Sequence, residues 1–393
     1  MKILSVNAGS SSLKFQAYEM PEEKVLISGV FERIGIEGSF YTIKFNGEKI
    51  KKEVLLENHK DAVRILTEEL VNYGVVKDLT EIEGVGHRVV HGGSKYASSV
   101  VITEDVKEVL RELTPLAPLH NPANLIGIEA FESIIPNAIE VAVFDTAFHQ
   151  TMDEEAFIYP VSYEWYEKYS VRKYGFHGTS HKYVSERMNE ILGKTDTKLI
   201  TCHVGNGGSI SAVLNGKCID TSMGFTPNAG IMMGSRSGDI DASIVSYISS
   251  CTGMSAKEVD NALNKNGGLL GVSGISSDCR DIEAGILEGN ERCALALNIY
   301  VRRIVEYIAK YYVLLGGCDA IVMTAGTLEN SKYVRGEIVK RLACLGIKLD
   351  EERNNIRGVE AQISSDDSSV LVYVIPTDEE VVIARDAYSF ITK

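Results

Sequence analysis

Short apolar runs bounded by glycine, serine and asparagine recur along this chain, separated by longer stretches with apolar residues at helical spacing. The strand-like runs include "EGVGHRVV" (83–90), "IEVAVFD" (139–145), "KLITCHV" (198–204), "DAIVMTAG" (319–326) and "VLVYVIP" (370–376). The spacing predicts helices over 60–73, 104–113, 182–192, 256–264, 292–315 and 334–345. The stretch 292–315 is long, apolar and rich in Tyr and Val, which marks a core or subunit-contact helix. Strands alternating with helices argue for α/β domains. One pattern occurs twice. Residues 2–17 read "KILSVNAGSSSLKFQA" and residues 198–213 read "KLITCHVGNGGSISAV". Setting Lys2 on Lys198 places Gly9 on Gly205 and one small-residue loop on the other, with strand-like runs on both sides. Identities are few, and two similar hairpins arising by chance is the competing reading. The half-chain offset fits a duplicated architecture, two related domains each presenting a glycine-rich hairpin to a shared cleft, where ligands commonly bind.

Composition narrows the class. The 393 residues suggest two domains or three. Apolar residues make up 45% and charged residues 24%, an ordinary globular balance. Acidic residues outnumber basic ones 54 to 40, so a general nucleic-acid surface is not expected. An anionic ligand would need arginine, lysine or histidine gathered locally against that field. The seven cysteines are odd in number, and no two stand in C-x-x-C spacing, so reduced thiols in a cytoplasmic protein are expected rather than disulfides or a thiolate zinc site. The N-terminal "MKILSV" is too short for a signal peptide, and no apolar run approaches the ~20 residues of a membrane span.

The candidate chemistry lies in polar loops that follow the strands: "GHRVVHGG", "LAPLHNPAN", "FDTAFHQT", "YGFHGTSH", "HVGNGGS", "MGSRSGDID", "SSDCRDI" and "TAGTLEN". Ligands of α/β sheets bind beyond the carboxyl ends of strands. The P-loop pattern is absent, and "GNGGSI" fails the last position of G-x-G-x-x-G, so phosphate would have to be bound by hairpin loops. "NAGSSSLKF" offers backbone N–H groups, hydroxyls and one cation, more than a turn requires, although an ordinary Gly/Ser turn reads equally well. His87 with His91 and His177 with His181 stand four apart but lack the glutamate of a zinc-protease helix; hydrogen bonding within a loop, or to a ligand oxygen, is the better reading. "GSRSG" carries Arg236 where a hydrolase would have its serine. Arg88, Arg236 and Arg280 sit among glycines, serines and aspartates, suited to clamping carboxylate or phosphate, or else to salt bridges. Asp145 ends an apolar run, as a metal-linked carboxylate or a turn cap would.

Taken together, "NAGSSSLKF", "GHRVVHGG", "PLAPLHNPAN", "VFDTAFHQTM", "YGFHGTSHKYV", "DTSMGFTP", "GSRSGDID", "GLLGVSGISSDCRDI" and "IPTDEEVVIARD" resemble the acetate kinases of the acetate and sugar kinase/Hsp70/actin superfamily, from residue 1 to about 385. The resemblance implies an α/β fold of two duplicated RNase H-like, actin-like ATPase domains around a central cleft, divided as 1–146 with 380–393, and 147–379. It implies reversible phosphoryl transfer, acetate plus ATP giving acetyl phosphate plus ADP, with Mg²⁺ (Mn²⁺ as substitute) and a cytoplasmic homodimer. Carried over residue by residue, Asp145, His177 and Arg236 match the catalytic positions. Arg88, Val90, Leu119, His120, Phe176 and Pro227 match the substrate site, with Arg88 on the carboxylate. Ser10, Ser12, Lys14, His203, Val204, Gly205, Asn206 and Gly207 match nucleotide positions, as do Asp278, Cys279, Arg280, Gly326, Thr327, Leu328, Glu329 and Asn330. Asn7 and Glu379 match the magnesium positions.

The chemistry is compatible with those residue types. A transferring phosphoryl group is loose and highly charged, so its catalysis is positioning and electrostatic clamping, and acetate is already an anionic nucleophile. One departure stands out. Family members usually read G-I-G-E-N where this chain has "GTLEN", so Leu328 replaces a glycine on the expected adenosine side. A left-handed backbone there would be strained by leucine, and a close nucleotide would be crowded by it, which leaves a smaller phosphoryl donor as an alternative. Asn228 and Ser235 also depart, where Leu and Thr are common. A propionate or butyrate kinase on the same scaffold is a further alternative, since one methylene is worth only ~1–3 kcal/mol of discrimination. An actin-like conformational module predicts no carboxylate-binding arginine, and a sugar kinase predicts a polar acceptor pocket. Arg88 with Val90, Leu119 and Phe176 speaks against both.

Overall fold

The computed structural model describes residues 1–118 and 120–392. The chain divides into two compact units, Met1–Phe148 with the segment from Asp378 onward, and His149–Thr377. The sequence-based boundaries at 146 and 379 compare with unit ends at Phe148 and Thr377.

The first unit holds an eight-stranded sheet of β1 (Lys2–Ala8), β2 (Ser12–Glu19), β3 (Lys24–Glu32), β4 (Phe40–Phe45), β5 (Glu48–Glu53), β6 (Ile82–Val89), β7 (Val100–Val101) and β8 (Ile139–Phe144). Its order is β5-β4-β3-β2-β1-β6-β8-β7. The second unit holds β9 (Lys198–Val204), β10 (Gly208–Leu214), β11 (Lys217–Thr221), β12 (Ala320–Thr324), β13 (Ala361–Gln362) and β14 (Leu371–Val374) in the order β11-β10-β9-β12-β14-β13. The core of each is the same: three antiparallel strands in succession, with two parallel strands added beside the first, β3-β2-β1-β6-β8 and β11-β10-β9-β12-β14. This is the duplicated RNase H-like arrangement. The repeat read from the sequence is its register, since Lys2–Ala8 and Lys198–Val204 are the equivalent first strands.

Period-two alternation assigns the faces of the first sheet. Leu4, Val6 and Val85 join one core with Val63, Leu66 and Leu70 of the helix His59–Asn72 and Phe131 of the helix Asn121–Ile134. Gly84 and Gly86 of β6 face the C-terminal helix Glu379–Ile391 instead. A Cβ on Gly86 would lie 2.5 Å from Ile383 Cγ2 and 2.8 Å from the Ile383 carbonyl, and one on Gly84 would strike Ile391 Cδ1. These two glycines let a helix from the far end of the chain lie flat on the sheet. That docking places the helix's first-turn glutamates in the same unit as the β1–β2 hairpin, where Lys14 pairs with Glu380.

Element bounds differ from the pattern in informative places. The helix expected over 182–192 runs Gly178–Leu192, because its first turn is built from small polar residues that are nevertheless buried. The run "DAIVMTAG" leaves the strand at Thr324 and becomes the helix Ala325–Asn330; Ala325 turns at φ 67, and Glu329 Oε1 accepts from the Ala325 N–H at 2.7 Å. The helix expected over 334–345 is Lys332–Arg341, followed by a 3₁₀ turn that ends at left-handed Gly346. The long helix is Glu291–Leu314, started by the Asn290 side chain and buried along one stripe through Tyr300, Ile304 and Tyr311. All seven cysteines are unpaired.

The Gly86 contact gives a direct test. Gly86→Val is expected to destabilise the protein by about 1–3 kcal/mol through overpacking against Ile383. Combining it with Ile383→Ala should return part of that loss, read from urea midpoints of the single and double variants.

Candidate active site

In the first unit, β6 and β8 run parallel with Val89 beside Phe144, so both strands deliver their carboxyl ends to one place. The Asp145 N–H donates to the Val89 carbonyl at 3.0 Å, extending the ladder one residue past the strand. The Arg88 guanidinium meets the Asp145 carboxylate side-on, Nε to Oδ1 at 2.9 Å and Nη2 to Oδ2 at 2.5 Å, while Nη1 donates to Asn7 Oδ1 at 3.3 Å. Burial pushes the Asp145 carboxyl above its ordinary value, and Arg88 pulls it back. Burial also works against the Arg88 charge, but Asp145 and nearby Glu379 outweigh it and raise the guanidinium. These three bonds use three of arginine's five N–H groups, leaving two.

Asparagines that the sequence reading passed over hold this arrangement. Asn124 accepts from the Val90 N–H at 3.1 Å and donates to the Ala8 carbonyl at 2.8 Å, tying the end of β6 to the end of β1. Asn121 makes the reciprocal pair with the His91 backbone. Both amides are buried, and the signal for them was their i, i+3 spacing at the start of a helix. His120 is exposed just before that helix, Val90 is buried, and Leu119 lies outside the described residues. In the β1–β2 turn Ser10 is exposed and Ser12 half-buried; the Gly9 N–H donates to the Ser12 carbonyl at 2.8 Å.

The second unit gathers a different set. The β9–β10 turn closes with the Gly205 N–H on the Gly207 carbonyl at 2.8 Å. A Cβ on Gly207 would stand in ordinary contact with two groups, 3.4 Å from Arg236 Nη1 and 3.6 Å from His177 Nε2, so both approach that turn. Arg236 donates to the Pro227 carbonyl at 3.1 Å and has no carboxylate partner among the described residues; burial alone lowers its pKa. His177 bonds Ser209 Oγ through Nδ1 at 2.8 Å, and its ring stacks on His203 at 4.1 Å. Phe176 is buried beside it.

A cavity of about 580 Å³ opens on the same turn. Gly205, Asn206, Asp278, Cys279, Arg280, Gly326, Thr327 and Asn330 line it, and so do Glu283, Ser331 and Arg357, which the sequence did not single out. Asp278 caps the helix Cys279–Leu287 and pairs with Arg280, which lowers the Asp278 carboxyl. His203, Val204, Leu328 and Glu329 do not line the cavity. His203 instead bonds Ser180 Oγ at 2.7 Å. Glu329 accepts from the Ala325 and Thr377 N–H groups at 2.7 and 3.1 Å. Leu328 is completely buried and helical; the left-handed residue of the segment is Ala325. The expectation that leucine would strain the backbone or crowd a nucleotide is therefore corrected: the side chain points into the core.

The histidine pairs are engaged by protein. His87 bonds Glu140, and His181 bonds the hydroxyls of Thr201 and Ser209, each at 2.7 Å. Among the described residues no group of three or more His, Cys, Asp or Glu could hold a metal. Mg²⁺ takes one or two protein oxygens and completes its shell with phosphate and water. The Asn7 amide oxygen and the Glu379 carboxylate, both placed by the Arg88–Asp145 pair, are hard donors of that kind. Among the described residues no helix is long and apolar enough to cross a membrane.

Known proteins match this chain along its length. The model of the Acetokinase family matches residues 2–385. An acetate kinase of Geobacillus sp. (strain WCH70) is 54% identical over 387 residues, 98% of each chain. The crystal structure of Porphyromonas gingivalis acetate kinase superposes with a TM-score of 0.95 at 46% identity, covering 100% of both chains. A propionate kinase from Francisella tularensis subsp. tularensis SCHU S4 superposes at 0.94 with 41% identity, covering 99% of each.

The buried placement of Leu328 makes stability the property its truncation changes. Leu328→Ala is expected to cost about 2–5 kcal/mol of stability as a core truncation, read by denaturant unfolding. ADP affinity of the folded variant, measured by titration calorimetry, is expected to stay within about twofold.

Proposed function

The chain belongs to the acetokinase family and is an acetate kinase by that membership; from that premise we propose how its own residues divide the transfer of a phosphoryl group between ATP and acetate. The observation that carries the reading is Arg88. A guanidinium fixed by Asp145 and Asn7, with two N–H groups left over, matches a planar carboxylate held bidentate. Held so, acetate presents an oxygen to the γ-phosphorus and needs no base, because it is already ionised. The new O–P bond forms as the bond to the ADP oxygen breaks, in one in-line displacement. Asp145 orients the clamp. Val90, buried at the end of β6, supplies apolar surface for the methyl group.

Arg236 and His177 act on the transferring group. An arginine without a carboxylate partner keeps its charge for an incoming anion, and that interaction strengthens as charge spreads over the equatorial oxygens. ATP occupies the 580 Å³ cavity, its phosphates toward the β9–β10 turn and its nucleoside toward Asp278, Arg280, Gly326 and Asn330. Lys14, half-exposed on the β1–β2 hairpin and paired with the partly buried Glu380, is the cation this hairpin offers to phosphate. Asn7 and Glu379 hold Mg²⁺, or Mn²⁺ in its place, which neutralises phosphate charge when bound. Self-association as a homodimer is supported by the helix Ser243–Thr252, which has no buried residue and exposes Ile244 and Tyr247. Seven unpaired cysteines support a cytoplasmic location.

Two measurements check this reading. Arg88→Ala is expected to raise the acetate KM and lower kcat together, by about 10²–10⁴-fold in kcat/KM, because orientation is lost along with binding; unchanged kinetics would remove Arg88 from the acceptor site. A hydroxamate assay with ATP, GTP and pyrophosphate as separate donors, and acetate, propionate and butyrate as acceptors, is expected to show ATP and acetate preferred. Acyl phosphate from pyrophosphate but not ATP, or a higher kcat/KM for propionate, would overturn the donor or the acceptor assignment respectively.

A further inference from the structure

His177 does not sit in ordinary backbone. It precedes the helix Gly178–Leu192 at φ 59, ψ 26, and Gly175, two residues earlier, is also left-handed at φ 75. A histidine in this region is uncommon and persists only where its surroundings fix it. Phe176 lies between the two turns, and its carbonyl belongs to the peptide whose orientation sets φ of His177. That carbonyl accepts a 2.8 Å hydrogen bond from His149 Nε2.

His149 is itself completely buried. A carbonyl only accepts, so His149 carries its proton on Nε2, and Nδ1 is left as an acceptor. Nδ1 faces the Cys218 thiol at 3.1 Å. The ring also lies edge-on to His181, with centroids 5.6 Å apart. Gly175 makes room for this ring: a Cβ there would fall 2.7 Å from His149 Cδ2 and 2.5 Å from Thr221 Cγ2. Burial pushes the His149 pKa down to about 4, which keeps the ring neutral. The clearance at Gly175 admits the ring, and the carbonyl bond ties the ring to the 176–177 peptide.

We infer that His149 is a positioning residue: its Nε2–H bond to the Phe176 carbonyl holds the peptide that turns His177 into its left-handed conformation. This rests on the reading of His177 as a group acting on the transferring phosphoryl. His149 touches no substrate; it acts through the placement of His177.

Glutamine and asparagine separate this role from simple packing. In His149→Gln the amide nitrogen can occupy the Nε2 position and keep the bond to Phe176. In His149→Asn it reaches only the Nδ1 position and the bond is lost. His149→Gln is expected to keep kcat within about threefold, and His149→Asn to lower kcat at least about 30-fold with both KM values within about threefold. Cys218→Ala leaves the Nε2 bond in place and should keep kcat within about threefold. In a His177→Ala background, His149→Asn should cost less than about twofold in kcat, because the group it positions is gone. If His149→Asn does not fold, Gly175→Ala, which displaces the ring, replaces it in the same cycle with the same expectation. A Gln variant as poor as Asn, a Cys218→Ala loss equal to that of Asn, or an undiminished loss in the His177→Ala background would each overturn the inference. Full kcat in His177→Ala alone would instead overturn the underlying role of His177.

Discussion

The side-on pair of Arg88 and Asp145 is the interaction around which the first unit is organised. Neither charge is tolerable alone at that depth, and removing one would leave the other buried and uncompensated, a change that typically costs about 3–5 kcal/mol. The pair forms because β6 and β8 are parallel neighbours in fixed register, so two residues far apart in the chain leave the sheet side by side. The glycines of β6 decide what covers the sheet next to the pair. Without Gly84 and Gly86 the C-terminal helix could not lie on the sheet, and Glu379 could not approach the pair, where it favours the Arg88 charge and disfavours that of Asp145. Core packing and active-site electrostatics are thus one construction: the contact that seals the apolar face also brings in the carboxylate.

The second unit treats positive charge in the opposite way. Arg236 is held by a backbone carbonyl and given no carboxylate, so its field is unspent until an anion arrives. Around it, three histidines and several hydroxyls form chains of short hydrogen bonds: His177 and His181 share the Ser209 hydroxyl, His203 bonds Ser180, and Ser180 bonds Thr377 at 2.8 Å. Such networks are costly when incomplete and rigid when satisfied. Rigidity is what a group aimed at developing charge requires, since reorganisation during transfer would consume its advantage.

Backbone turns form part of the wall of the 580 Å³ cavity. Two turns, 205–207 and the start of the helix Ala325–Asn330, approach each other closely; a Cβ on Gly205 would lie 3.5 Å from the Gly326 N–H. Leu328 belongs to the support of that helix, where its carbonyl accepts from the buried Arg335 at 2.9 Å. A bulky residue in a glycine-rich motif has different consequences according to which side of a helix it occupies, and that side is not written in the motif.

Several features of this protein were determined by the sequence alone. The half-chain repeat is a local property, two apolar runs flanking a small-residue loop, and it fixed both first strands and both hairpins because strand pairing across a short turn needs no distant partner. The acetokinase motifs identified the family and its reaction. Tertiary structure alone decided the rest. Asn121 and Asn124 became latches because two strand ends lie under one helix start. Arg357 and Glu283 joined the cavity from segments with no motif. "GTLEN" turned from loop to helix because Glu329 caps it with contacts from Thr324, Ala325 and Thr377, the last of which is distant in the chain. His149 acquired a role through Phe176, 27 residues away. Periodicity and residue type report what a segment can do by itself; hydrogen bonds between remote segments depend on how sheets and helices pack, and no local pattern carries that.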